Sequence, residues 1–148
     1  MFEEFVASRL RRYLAGRQVV HLQWRDKLDT AGSVRIRPDL VFGPIAGAIT
    51  YVADSKYKVT ADGFGREADY YQLLAYTSAL NLPEGLLVYC QHDGSMPPRL
   101  VDIRNLGTRL RTWALRLDRT PWHLEQELQA LADHVAERAT ASYSVEAL

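Results

Sequence analysis

The segment Arg37-Pro38-Asp39-Leu40-Val41 is followed, after a short turn, by Ala53-Asp54-Ser55-Lys56-Tyr57-Lys58. Both segments have the apolar surroundings of buried β-strands, where charged groups seldom occur without partners. An acid on the first strand and an Asp-x-Lys triplet on the second therefore require a physical explanation.

The side chains of Asp54, Lys56 and Lys58 share one face of the second strand, because alternate residues of a strand point the same way. Asp39 joins that face only if the residue numbers paired across the predicted hairpin add up to an odd number, or if a bulge intervenes. The expected cluster of Asp39, Asp54 and Lys56 therefore forms only if the strand register is the required one.

Convergence of these groups would form a metal-dependent hydrolytic site. The carboxylates of Asp39 and Asp54 and the backbone carbonyl of Ser55 are hard oxygen ligands, which Mg²⁺ and Mn²⁺ prefer. A bound metal lowers the pKa of water and Lys56 orients or deprotonates the nucleophile, so the pattern predicts phosphodiester hydrolysis. The alternative is a water-facing hairpin that carries ordinary exposed ion pairs.

The composition indicates one folded domain over residues 1–148, without a strong overall charge. Lys+Arg and Asp+Glu both total 18, so nucleic-acid binding would have to rely on local patches. The arginine-rich stretches 9–17 and 104–119 are expected to be solvated faces.

The single cysteine, Cys90, excludes a disulfide framework, a cysteine zinc site and a four-cysteine iron–sulfur cluster. The absence of a signal-peptide pattern and of a membrane-spanning apolar run predicts a cytoplasmic location.

Apolar periodicity and turn residues predict an α/β fold in the order α-β-β-β-α-β-β-α. The predicted elements are a helix over 2–15, strands over 19–24, 34–42 and 48–57, a helix over 66–80, strands over 86–90 and 100–103, and a helix over 122–138.

The second predicted helix carries polar residues within an apolar stripe. Asp69, Gln72, Leu73, Tyr76 and Leu80 recur at spacings of three and four, which places them on one helix face. One interpretation is a helix rim that forms hydrogen bonds with neighbouring loops. Beside the hairpin, the stripe instead predicts support of the metal site and contact with a phosphate or base.

These segments together resemble the PD-(D/E)XK nuclease superfamily, and in particular the nuclease domain of McrC, the cleavage subunit of 5-methylcytosine-specific restriction systems. Pro38-Asp39-Leu40-Val41 is similar to its Pro-Asp motif, and Asp54-Ser55-Lys56-Tyr57-Lys58 to its Asp-x-Lys-Tyr-Lys motif. The stretch from Asp69 to Tyr76 is similar to its Asp-x-x-Gln-x-x-x-Tyr helix, an element shared with RecB-like nucleases. Phe2-Glu3-Glu4-Phe5-Val6 is similar to its opening helix.

The resemblance covers about residues 1–105, followed by a C-terminal extension and helix over about 106–148, and it implies a restriction-endonuclease-like mixed β-sheet flanked by helices. It also implies Mg²⁺-dependent DNA cleavage in restriction or defence. The residues to which it assigns catalysis or metal binding are Asp39, Asp54, Lys56 and Glu3. The residues expected to support the site or bind substrate are Gln72, Tyr76, Asp69, Lys58 and Arg37. We expect Arg37 to lie on the face of Asp39, where it would hold a phosphate or pair with an acid.

The expected partners follow from the same resemblance. McrC-type proteins also have a region that engages a GTP-driven motor; this sequence does not show that region, which puts a McrB-like partner in doubt. No G-x-x-x-x-G-K-[ST] loop is present either. A homodimer would supply the two sites needed to cut both DNA strands. The alternatives are a catalytically silent module that binds nucleic acid or a partner, and a RecB-like repair nuclease.

Overall fold

The computed structural model of the chain describes residues 2–57, 67–91 and 98–146. Three helices and eight strands occur in these ranges, and none of the helices combines the length and apolar character needed to span a bilayer. In chain order they are α1 (Phe2–Leu14), β1 (Val19–Leu22), β2 (Asp26–Lys27), β3 (Arg35–Ile36), β4 (Leu40–Gly43), β5 (Tyr51–Tyr57), α2 (Glu67–Leu80), β6 (Glu84–Gln91), β7 (Leu100–Asp102), β8 (Arg109–Arg116) and α3 (Pro121–Glu146).

Six strands form one mixed sheet in the order β1-β4-β5-β6-β8-β7. Strands β1, β4 and β5 pair antiparallel, β5, β6 and β8 pair parallel, and β7 returns antiparallel to β8. Helix α2 connects β5 to the parallel strand β6, as a crossover between parallel neighbours requires. The predicted α/β class with a mixed, helix-flanked sheet is confirmed.

The sheet has one apolar layer on each face. Helices α1 and α3 pack on one side, where Leu10, Phe42 and Leu128 are fully buried. Helix α2 packs on the other side, where Leu73 lies against Val52 and its neighbours. Side chains of β5 alternate between these layers, so the even-numbered residues from Val52 onward face α2.

The predicted strand over 34–42 is wrong as a single element. It consists of β3 and β4, separated by Arg37, Pro38 and Asp39, and β3 pairs with β2 in a separate two-stranded sheet. Pro38 has no N–H to donate to a ladder, which accounts for an interruption at this point. The sequence pattern did not indicate β2.

The prediction that the later arginine-rich stretch is a solvated face is also wrong in part. Residues 109–116 form β8, which lies between β6 and β7. Leu110 and Leu115 are buried in the two apolar layers, while Arg109 is exposed and Arg111 is half-buried. Long aliphatic stems allow arginine to lie along a strand while its charged head stays accessible. Helix α3 also extends beyond the predicted range at its C-terminal end.

Candidate active site

The register of the β4–β5 hairpin satisfies the condition set by the sequence. Leu40 pairs with Ala53 and Val41 with Val52, so paired residue numbers add up to an odd number. One step further in this register, Asp39 lies opposite Asp54, and opposite residues of antiparallel strands point to the same face. Both carboxylates therefore lie on the α2 side of the sheet. Their catalytic role stays a prediction.

Each of the two carboxylates accepts a hydrogen bond from a backbone N–H group of the other segment of the hairpin. The backbone N–H of Asp39 donates to Oδ1 of Asp54 over 3.3 Å. The backbone N–H and the hydroxyl of Ser55 donate to Oδ2 of Asp39, over 3.1 and 3.4 Å. The side chain of Asp39, which lies just before β4, is thus held over β5, and the two acids form one unit.

Lys56 joins this unit to helix α2. Its Nζ lies 2.8 Å from Oδ2 of Asp54 and donates a hydrogen bond of 2.7 Å to Oε1 of Gln72. Gln72 is exposed and Lys56 is only partly covered, whereas Asp54 is 3% exposed. The amine therefore stands between a buried acid and the solvent, where a substrate can reach it.

Burial and mutual repulsion change the ionisation of these groups. Burial raises the pKa of Asp54 to about 7, helped by the hydrogen bond and negative charge of Asp39 and opposed by Lys56. Burial lowers the pKa of Lys56, but the hydrogen bond and charge of Asp54, with smaller effects of Asp69 and Asp39, raise it above its ordinary value. Lys56 is consequently a cation at neutral pH, and the acids attract a further positive charge.

Tyr76 and Asp69 occupy the same face of α2 but have different contacts. The hydroxyl of Tyr76 donates to the backbone carbonyl of Arg37 over 3.4 Å. Burial and the charges of Asp54 and Asp39 raise the pKa of Tyr76 well above its ordinary value, so its hydroxyl stays protonated. Asp69 accepts a 3.1 Å hydrogen bond from the hydroxyl of Tyr89 on β6. Tyr76 thus lies beside the acids, whereas Asp69 ties α2 to β6 and acts on Lys56 through its charge.

Gln23 connects Glu3 to Asp39, and the sequence reasoning missed it. Its Nε2 lies 3.5 Å from Oε2 of Glu3 and 3.3 Å from Oδ1 of Asp39. These three residues line a cavity of about 290 Å³ with Glu4, Leu22 and Leu40. Gln23 has a positive φ of 51°, an uncommon conformation for a residue other than glycine. No feature of a single glutamine after a strand would have indicated this role.

Of the two remaining predicted supporting residues, the structure describes Arg37. The backbone carbonyl of Arg37 accepts the hydrogen bond from Tyr76. The placement of the Arg37 side chain on the face of Asp39 stays a prediction. The side chain of Arg37 is exposed. Lys58 lies outside the described residues.

The donor set fits a hard divalent cation. The buried carboxylate of Asp54 and the half-buried carboxylate of Asp39 lie beside one lysine, which leaves a net negative charge when both acids are ionised. Mg²⁺ in proteins is commonly held by one or two carboxylates together with water and phosphate oxygens. Within residues 2–57, 67–91 and 98–146, no three His, Cys, Asp or Glu residues lie close enough to hold a metal ion together. Glu3 reaches Asp39 through Gln23 and not directly. The backbone carbonyl of Ser55 stays a predicted third ligand.

Known proteins provide two independent comparisons. The model of the family described as McrBC 5-methylcytosine restriction system component matches residues 1–90. The fold matches a chain in a structure of Thermococcus gammatolerans McrB AAA+ hexamers with bound McrC, with a TM-score of 0.71 at 12% sequence identity. The match covers 90% of this chain but only 32% of the solved chain, so this sequence spans about a third of that chain's length. No curated protein sequence matches.

Proposed function

This chain belongs to the family of McrBC 5-methylcytosine restriction system components, and we propose that within such a system it is the DNA-cleaving part, a Mg²⁺-dependent endonuclease. The observation that carries the proposal is the hairpin register, which brings Asp39, Asp54 and Lys56 to one face beside α2. Two acids and one amine at a partly open site suit phosphodiester hydrolysis, in which negative charge develops on the phosphate.

Each residue has a defined task in this proposal. Asp39 and Asp54 would hold Mg²⁺, with Mn²⁺ as a substitute and Glu3 contributing through Gln23. The bound metal would supply a water of lowered pKa and positive charge for the developing phosphate charge. Lys56 donates a hydrogen bond to the attacking water or a phosphate oxygen, since its raised pKa favours the ammonium form. Gln72 holds the Lys56 amine in position.

The proposed partners are DNA and a McrB-like motor. The solved assembly contains McrB AAA+ hexamers with bound McrC, and the fold of this chain matches a chain of that assembly. A complete cut of duplex DNA needs two sites, so a second copy of the chain is also part of the proposal. The proposed location is the cytoplasm, where DNA is accessible.

The test is cleavage of supercoiled plasmid DNA in the presence of Mg²⁺, with and without a McrB-like partner and GTP. We expect nicked or linear product from the wild type, and a loss of at least about 100-fold for Asp54→Asn, because the metal and Lys56 both lose a charged partner. Asp133→Asn, which changes an exposed acid on α3, is the matched control. Equal cleavage by wild type and Asp54→Asn would show that another site or a contaminant cuts the DNA.

A second candidate is a silent module of the same fold. It is favoured by one observation, that no group of three potential ligand residues comes together in the described ranges. Titration with Mn²⁺ separates the two functions. Binding that disappears in Asp39→Asn and Asp54→Asn supports the nuclease, whereas no binding, or binding indifferent to both changes, supports the silent module.

A further inference from the structure

The small β2–β3 sheet places four cations on one face. Lys27 pairs directly with Arg35, and the same register places Arg25 opposite Arg37 just outside the ladder. Residues opposite each other, and residues two apart on one strand, point the same way. Like charges directly opposite each other destabilise a strand pair. A face built in this way is unfavourable unless an anion lies against it.

The opposite face of this small sheet is anchored to the protein. Ile36 is buried with the α2-side layer, and Asp26 accepts hydrogen bonds from the indole N–H of Trp24 and from the backbone N–H of Lys27. Asp29 fixes the connecting loop, because it accepts hydrogen bonds from the backbone N–H groups of Ser33 and Val34 and from the Ser33 hydroxyl. These contacts fix the backbone of the β2–β3 sheet, and with it the positions from which the four cationic side chains extend.

The cations line an open groove, and within residues 2–57, 67–91 and 98–146 none of them forms an ion pair. Four exposed cations, one carboxylate and one apolar side chain border a groove of about 730 Å³: Arg25, Lys27, Arg35, Arg37, Asp26 and Ile36. In the part of the chain that the structure describes, the ion pairs involve other residues. The groove can therefore accept several negative charges without first breaking an existing pair.

The groove begins next to the candidate active site. The backbone N–H groups of Gln23 and Trp24 donate to the carbonyls of Asp39 and Pro38, over 2.9 and 3.1 Å, so the small sheet continues the pairing of β1 with β4. Arg37 precedes Asp39 by two residues, which is about 7 Å in extended chain. A polyanion bound to the groove would pass close to the acids.

We infer that this cationic face binds the sugar-phosphate backbone of duplex DNA and positions it for cleavage at Asp39 and Asp54, an inference that rests on the proposed nuclease function. The contact is independent of base sequence, because phosphate groups are the same at every step. The chain has equal numbers of acidic and basic residues, so no overall field substitutes for a local patch.

The experiment measures DNA binding by the full chain with cleavage switched off. A fluorescently labelled duplex is titrated in EDTA over a series of KCl concentrations, with wild type, Lys27→Ala/Arg35→Ala, and the control Arg12→Ala/Arg119→Ala. The control removes the same charge from exposed positions on α1 and before α3. We expect the groove variant to bind at least about 10-fold more weakly at low salt and to reduce the slope of log K against log salt by about 2. The control should match wild type.

The inference is overturned if wild type binds no duplex, if the groove variant binds within about twofold of wild type, or if the control loses as much affinity. An acidic protein segment would then be the better occupant of the groove. This outcome is separate from the fate of the proposed function. Binding through the groove without any cleavage refutes only the nuclease, and cleavage with groove-independent binding refutes only the groove.

Discussion

At the scale of single residues, Asp54 is under the strongest electrostatic constraint in the site. It is 3% exposed and shares its surroundings with Asp39, while Lys56 is the charged partner that offsets it. A buried acid of this kind favours its neutral form unless a cation is near. Its ionisation therefore links the stability of the metal-free protein to pH.

The metal-free protein should lose stability as pH rises from about 4 to about 7. The pKa of Asp54 is raised from 3.8 to about 7 in the folded state, so the folded state binds the proton more tightly. This contribution is fully present below the ordinary pKa and is lost as pH rises through the raised one. Urea unfolding in EDTA at several pH values measures it. Asp54→Asn should lack the decline, whereas Ser78→Ala, an exposed uncharged change, should keep it; a parallel decline in Asp54→Asn would contradict the assignment.

A second residue-scale prediction concerns Gln72 as a positioning residue. It accepts the 2.7 Å hydrogen bond from Lys56 and is itself exposed, so its removal should leave the fold intact. We expect Gln72→Leu to lower the maximal cleavage rate by about 10- to 100-fold, because the Lys56 amine loses its orientation. DNA affinity measured in EDTA should stay at the wild-type value.

The control for this change is Ser78→Ala, which lies on the exposed side of the same helix. It should cleave at the wild-type rate. If Gln72→Leu changes DNA affinity and leaves the maximal rate unaffected, Gln72 contacts the substrate and does not position the amine.

At the scale of elements, the sequence predicted those parts of the site that depend on local periodicity. Asp54 and Lys56 share a face by strand alternation alone, and Tyr76 lies on the inner face of α2 by helical spacing. The position of Asp39 could be stated only as a condition, since strand register is set by long-range packing and by the turn. Gln23 could not be found, because its role depends on the pairing of β1 with β4 and on a positive φ.

The elements that were missed have a common physical cause. Strand β8 has arginines at both ends and a centre of Thr112, Trp113 and Ala114, and its place in the sheet depends on parallel pairing with β6, which is distant in sequence. The β2–β3 pair is only two residues long on each strand, which is too short for a periodic pattern. In both cases tertiary pairing, and not local preference, determines the structure.

The hairpin register itself can be tested at Gly43, the last residue of β4. A Cβ atom built there would lie 1.4 Å from the backbone carbonyl oxygen of Ala48, so the turn would have to move. We expect Gly43→Ala to lower the free energy of unfolding by about 3 kcal/mol or more, in the upper range of overpacking effects. Gly47→Ala is the matched control, since nothing lies within 4 Å of its added Cβ and only its positive φ is strained.

The control should lose about 1 to 2 kcal/mol, the cost of a left-handed conformation at a non-glycine residue. Urea unfolding of both variants gives the comparison. Equal losses would mean that the turn adapts freely, and that the approach of Gly43 to Ala48 does not hold the register that places Asp39 opposite Asp54.

At the scale of the whole molecule, the two faces of the sheet carry different polar groups. The α2 face carries the candidate site. The opposite face holds a buried acid, Glu84, which begins β6 and is 1% exposed. Its Oε2 accepts a 2.9 Å hydrogen bond from the Tyr51 hydroxyl and lies 3.5 and 3.3 Å from Nε of Arg111 and Arg138. One carboxylate thus joins β5, β6, β8 and α3.

Loss of this carboxylate should destabilise the molecule without changing the chemistry of the site. Glu84→Ala leaves two half-buried guanidinium groups without their anionic partner and a buried hydroxyl without its acceptor, so we expect a loss of about 3 to 5 kcal/mol in the free energy of unfolding. Asp133→Ala removes one partner of the exposed pair with Arg17 and should cost about 1 kcal/mol or less. Urea unfolding compares them, and cleavage per folded molecule should stay at the wild-type level in both. If Glu84→Ala were no more destabilising than Asp133→Ala, the charged network would add nothing to the packing of α3 on this face of the sheet, and apolar contacts would account for that packing.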